Sequence, residues 1–157
     1  MQIAMVGLGR MGANLVRRLM RAGHECVVYD VNPEAVAALA AEGATPATDL
    51  ADLAAKLEAP RHVWVMVPAG ITEEIVTQVA DHLSPGDAVI DGGNSYYRDD
   101  IARAKELGAR GLHYLDCGTS GGVWGLDRGY CLMIGGEDEV VERLAPVWEA
   151  IAPGEGS

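Results

Sequence analysis

Gly7-Leu8-Gly9-Arg10-Met11-Gly12 lies between two segments of different periodicity. Upstream, Gln2–Val6 is a short apolar run with the pattern of a buried strand. Downstream, residues 11–21 place Met11, Leu15, Leu19 and Met20 on one side and Arg17, Arg18 and Arg21 largely on the other, which is helical spacing. A G-x-G-x-x-G alone is weak evidence, but between a strand and a helix inside a βαβ unit it becomes specific. Gly7 permits the tight turn, Gly9 lets backbone approach a ligand, and Gly12 lets the helix pack close to the sheet. The helix start offers N–H groups and a positive dipole end to an anion. Gly7, Leu8, Gly9, Arg10, Met11 and Gly12 are therefore candidate contacts for a dinucleotide pyrophosphate. The competing reading is a glycine-rich turn with no ligand, and the Arg10 side chain can equally face solvent.

Working outward, Gly23 ends the helix, and Glu25–Tyr29 forms a second strand closed by Asp30. An acidic residue about 20 positions beyond the glycines can accept hydrogen bonds from the ribose hydroxyls of a bound adenosine and repels a 2′-phosphate. Val31, Asn32, Pro33 and Glu34 supply no cation to reverse that preference. NAD is favoured over NADP. An alternative role for Asp30 is to cap the helix that begins near Pro33, and the two roles can coexist.

The alternation continues along the chain. A helix is predicted over 34–42, another from an Asp49 cap through Leu57, a strand over 62–67 and a helix over 72–82. Ser84-Pro85-Gly86-Asp87 reads as a turn. Ala88–Asp91 reads as a strand, 99–107 as a helix, 112–116 and 130–134 as strands, and 137–151 as one final helix. Strands alternating with helices give an α/β fold: a doubly wound, mostly parallel sheet with helices on both faces, of the Rossmann type. Residues 1–157 are read as one dinucleotide-binding domain.

In such a sheet, ligands bind beyond the carboxyl ends of the strands. Val67, Pro68 and Ala69 are placed to line the nicotinamide ribose. Asp91-Gly92-Gly93-Asn94-Ser95 and Asp116-Cys117-Gly118-Thr119-Ser120-Gly121-Gly122 are read as loops. Paired glycines beside carboxamide and hydroxyl groups suit a polyhydroxy or carboxylate ligand, although two plain tight turns fit the same residues.

The formal charge of −11 argues against nucleic acid as a partner. Cys26, Cys117 and Cys131 have no metal-type spacing, nor do His24, His62, His82 and His113, so no metal site is expected. Cys117 is read as a small apolar filler and Trp64 as core. No run of about 18 apolar residues exists, so no membrane span is expected. The start of the chain leads directly into a strand pattern, which leads us to expect a cytoplasmic protein without a signal peptide.

Together these motifs resemble the β-hydroxyacid dehydrogenase superfamily, and within it the 6-phosphogluconate dehydrogenases. The glycine turn with Ala13 and Asn14 resembles the superfamily's cofactor turn. Asp91-Gly92-Gly93-Asn94-Ser95 resembles the phosphogluconate branch, and Thr119-Ser120-Gly121-Gly122, continued by Gly125 and Gly129, resembles its substrate loop. The resemblance implies oxidation of a sugar-acid phosphate by NAD, then decarboxylation, in the pentose phosphate pathway. Asn94, Ser120, Gly121 and Gly122 would contact substrate, with Asn94 also near the nicotinamide. It implies a homo-oligomer for the full-length enzyme, with its general-base lysine and general-acid glutamate beyond residue 157, in or near a helical domain. No catalytic residue is assigned within this chain, which is expected to bind NAD without turnover. Two rivals remain: a cofactor domain for a hydroxyisobutyrate-type acid, and a stand-alone dinucleotide-binding module.

Overall fold

The computed structural model describes residues 1–67, 69–92, 97–120, 131–136 and 138–152. Its elements in order are β1 (Gln2–Val6), α1 (Arg10–Arg21), β2 (Glu25–Tyr29), α2 (Pro33–Ala41), β3 (Thr45–Pro46), α3 (Leu50–Ala55) and β4 (His62–Val65). They continue with α4 (Ala69–Ala80), β5 (Ala88–Asp91), α5 (Tyr97–Ala109), β6 (His113–Ser120), β7 (Cys131–Gly135), α6 (Asp138–Arg143) and α7 (Ala145–Ile151).

The strands form one seven-stranded sheet in the order β3-β2-β1-β4-β5-β6-β7. Every pair is parallel except β6 with β7. The order reverses between β1 and β4, which opens a crevice at the carboxyl ends of those two strands. Strand side chains alternate between two cores. Ile3, Met5, Val28, Trp64 and Ile90 meet one set of helices, represented by Leu15 of α1, Leu39 of α2 and Ile151 of α7. Ala4, Val6, Val65 and Val89 meet the other set, through Leu53 of α3, Val76 of α4 and Leu107 of α5. Because both faces are covered, the central strands carry apolar residues at successive positions. Trp64 is fully buried and packs edge-on against Trp148 at 5.7 Å between ring centroids.

Local chemistry sets the helix ends. Gly23 adopts φ +90°, its amide reaches Met20 O, and the His24 amide reaches Leu19 O, so paired bonds close the end of α1. Asn32 caps α2 by accepting from the Glu34 amide, and Pro33 takes the first helical position. Asp49 caps α3 by accepting from the Asp52 amide.

Five features depart from the sequence reading. The short strand β3 follows α2, where no strand is predicted. The helix beginning at Asp49 stops at Ala55, and β4 stops at Val65. The final helix is two helices meeting at Leu144, because Pro146 lacks an amide hydrogen and its ring crowds the preceding turn. The largest departure is at β6, which does not end at Asp116 but runs to Ser120. Opposite Asp116, β5 ends at Asp91, and from there β7 pairs antiparallel with β6, from Asp116 with Gly135 to Ser120 with Cys131. A tertiary partner overrides the turn-like composition of Gly118-Thr119-Ser120.

Candidate functional site

The glycine turn is built around contacts with the end of β4. The Gly7 amide donates to Tyr29 O at 3.0 Å, one step past the β1–β2 ladder. Gly7 has φ +96°, and a Cβ there would lie 2.2 Å from Met66 O; a Cβ on Gly12 would lie 2.2 Å from Gly7 O. Both positions must be glycine for the turn to close on itself. Gly9 is different: a Cβ there meets nothing within 4 Å. Protein packing leaves that space open, so it is available for a ligand. Gly9 is also the N-cap of α1, with no side-chain cap and no acidic residue in the first turn, unlike α2 and α3. A helix start left uncapped beside open space is a cradle for an anion, and these residues fit a dinucleotide pyrophosphate. Arg10 is exposed at the start of α1, and Met11 packs partly against the core.

Asp30 is half-buried at the end of β2. One carboxylate oxygen accepts from the Leu8 amide at 2.6 Å, the other from the Asn32 amide at 2.8 Å. Since Asn32 caps α2, Asp30 does not. It instead ties the glycine turn to the end of β2, which engages the Leu8 amide and distinguishes Leu8 from the other residues of the turn. A carboxylate has about four lone-pair sites, so these two bonds leave acceptor capacity for ribose hydroxyls.

A cleft of about 560 Å³ opens at the crevice between β1 and β4, and Gly7, Asp30 and Val67 are among its walls. Val31 and Ile71, 85% and 45% exposed, also line it. Exposed aliphatic side chains on a concave site offer surface to a flat aromatic base. Asp30, Asp49 and Asp81 line the cleft, and among the described lining residues none is Lys or Arg. The adjoining cleft, about 580 Å³, shares Asp30 and Val31 and contains Lys56. Lys56 Nζ is bonded to Pro46 O at 2.6 Å and to Asp52 at 2.9 Å. Sequence reasoning did not single out Val31 and Ile71; their signal is a large apolar residue left exposed beside a ligand turn.

The structure gives less about the other half of the site. Val67 lines the main cleft next to Gly7, and the backbone of Ala69 begins α4. Ser120 is at the end of β6, opposite Cys131. Pro68, Asn94, Gly121 and Gly122 lie outside the described residues. Cys26 and Cys117 are free and buried, and burial pushes both thiols up to about 12, which makes Cys117 a packing residue and a poor nucleophile.

Comparison with known proteins bears directly on this geometry. Residues 2–154 match the model of the NAD binding domain of 6-phosphogluconate dehydrogenase. The chain belongs to that family. An NAD(+)-dependent, decarboxylating 6-phosphogluconate dehydrogenase of Haloferax volcanii is 45% identical over 98% of this chain and 51% of its own length. Among solved structures, 6-phosphogluconate dehydrogenase of Plasmodium falciparum, described with NADP+ as its cofactor, superposes with a TM-score of 0.91 at 26% identity, covering 99% of this chain and 35% of that one. A Mycobacterium tuberculosis 3-hydroxyisobutyrate dehydrogenase superposes at 0.87 with 29% identity, over 96% and 52% of the two chains. The chain thus spans about half the length of the Haloferax relative. It is a pyridine-nucleotide-binding domain of the 6-phosphogluconate dehydrogenase type, within the β-hydroxyacid dehydrogenases. No described helix is long and apolar enough to cross a membrane.

Proposed function

We propose that this chain is the NAD-binding part of an enzyme that oxidises and decarboxylates 6-phosphogluconate to ribulose 5-phosphate in the pentose phosphate pathway. The observation that carries the cofactor choice is Asp30, held by Leu8 and Asn32 in a cleft lined by carboxylates and lacking Lys or Arg among its described walls. A ribose with free hydroxyls finds acceptors there, whereas a 2′-phosphate meets like charge. NAD, when bound, supplies the hydride acceptor. Gly9 and the uncapped start of α1 orient its pyrophosphate, with Gly7, Leu8, Arg10, Met11 and Gly12 shaping the turn. Val67, Pro68, Ala69 and Asn94 form the nicotinamide side, while Asn94, Ser120, Gly121 and Gly122 contact the sugar acid. No general acid or base is assigned within residues 1–157, which we read as one domain that binds NAD without turnover. The whole protein's lysine base and glutamate acid come from the further length that its relatives have, in a helical domain. The active form is read as a cytoplasmic homo-oligomer.

The test is calorimetric titration of NAD and NADP into wild type and Asp30→Ala. Wild type is expected to prefer NAD. Asp30→Ala is expected to lose about 10- to 100-fold in NAD affinity, the scale of one or two hydrogen bonds to a charged acceptor. Equal binding of NADP by the wild type would refute the cofactor assignment. A hydroxyisobutyrate-type substrate is the second reading, favoured by the 0.87 superposition with the mycobacterial enzyme. A screen of the full-length protein with 6-phosphogluconate and 3-hydroxyisobutyrate separates the two.

A further inference from the structure

We propose that Asp91, with Tyr114 and Arg103, is a positioning group for the nicotinamide half of the site, anchoring the backbone as it leaves β5. The inference rests on the dinucleotide reading above.

Asp91 ends β5 and is 1% exposed. The Tyr114 hydroxyl, from β6, donates to Asp91 Oδ2 at 2.5 Å, and Arg103 Nη1, from α5, donates to the same oxygen at 3.2 Å. Tyr114 and Arg103 are themselves buried. Removing an ion pair from water costs about as much as its attraction returns, and well-packed apolar residues often stabilise such a position better. Val65, Val89 and Leu107 show that this face of the sheet packs apolar side chains readily. Stability alone is therefore a poor reason for a charged pair here.

The location supplies a better one. Asp91 pairs with Val65 of β4 and Asp116 of β6, at the carboxyl edge of the sheet. The next residue, Gly92, extends the ladder by donating its amide to Val65 O at 2.8 Å. A Cβ on Gly92 would lie 2.5 Å from Trp64 Nε1 and 2.9 Å from Met66 Sδ. The backbone leaving β5 is thus seated on Trp64 and Met66 and tethered through Asp91 to α5 and β6. In a doubly wound sheet the second mononucleotide half lies over these strands, while Gly9 and Asp30 serve the adenosine half. The buried carboxylate fixes the floor beneath the reacting end of the cofactor, where small misplacements are costly to reaction geometry.

Tyr114→Phe removes one hydroxyl and keeps the ring. The test compares its affinity for NADH, read by nicotinamide fluorescence, with its affinity for ADP-ribose, read by calorimetry. The expected result is about tenfold weaker NADH binding with ADP-ribose within about twofold of wild type, the scale of one hydrogen bond to a charged group. A purely structural role lowers the melting temperature and leaves the ratio of the two affinities unchanged, and that outcome overturns the proposal. If Tyr114→Phe does not fold by circular dichroism, Arg103→Lys decides by the same ratio. Failure of the wild type to bind NADH removes the dinucleotide reading and this inference with it. Normal wild-type binding with an unchanged ratio in the variant removes this inference alone.

Discussion

At the amino end of the sheet, Asp87 is 1% exposed and accepts from the Arg61 amide at 2.7 Å, Arg61 Nη1 at 3.3 Å and the Ser84 amide at 2.8 Å. Beside it, Arg143 Nε donates to His62 Nε2 at 3.0 Å, and Arg143 also reaches Gly86 O. At the carboxyl end, Asp30 accepts from two backbone amides and still faces a cleft, and α1 begins with no side-chain cap. The same residue type closes a strand connection at one end and leaves acceptor capacity at the other. Asp87 and its partners at the amino end are consumed by the fold, whereas Asp30 at the carboxyl end keeps acceptor capacity towards an open cleft. Stability and binding should therefore separate by position.

The largest effect expected from this contrast is at Asp87. Asp87→Ala strands the Arg61 and Ser84 amides and leaves the part-buried Arg61 guanidinium without its carboxylate, and unsatisfied donors of this kind together cost about 4 kcal/mol. Urea unfolding should show that loss, while NAD affinity of the folded fraction stays unchanged. A parallel loss of NAD affinity would break the separation of the two ends.

Next is the pH response of His62. Burial, and then the Arg143 charge, push its pKa down to about 4. In the unfolded chain it titrates near 6.5, so between those values the unfolded state binds the extra proton. Stability should fall as pH drops from about 6.5 towards 4, by roughly 3 kcal/mol in total. Thermal melts across that window should show a shallower slope for His62→Gln than for wild type. Identical slopes would mean that His62 keeps its ordinary pKa.

The smallest stability effect is expected at Gly9. Its backbone is not left-handed and a Cβ meets nothing within 4 Å, so Gly9→Ala should change unfolding free energy by less than about 0.5 kcal/mol. Binding should respond strongly, because the methyl group enters the space left for the pyrophosphate. Unchanged NAD affinity in a calorimetric titration would show that this space is not the ligand's.

The glycine turn and Asp30 are legible from sequence because their signals are local. A strand, a turn and a helix occur in succession, and an acidic residue closes the next strand. The rim residues Val31 and Ile71 are not legible in this way, since an aliphatic residue in sequence does not show whether it is exposed. Likewise, Asp91, Arg103 and Tyr114 come from β5, α5 and β6, and no spacing rule links them.

By itself, then, the sequence determined the alternating parallel architecture, the turn from Gly7 to Gly12 and the acidic residue at position 30. Periodicity and turn chemistry act over a few residues, and these features need nothing more. Tertiary structure supplied the contacts behind the roles read for those glycines, with Met66 O where a Gly7 Cβ would sit and nothing within 4 Å of a Cβ on Gly9. It also decided that Gly118–Ser120 run as strand, because β7 supplies partners that the local composition does not encode. Pairing and burial depend on what stands opposite a residue, and that is settled only when distant segments meet.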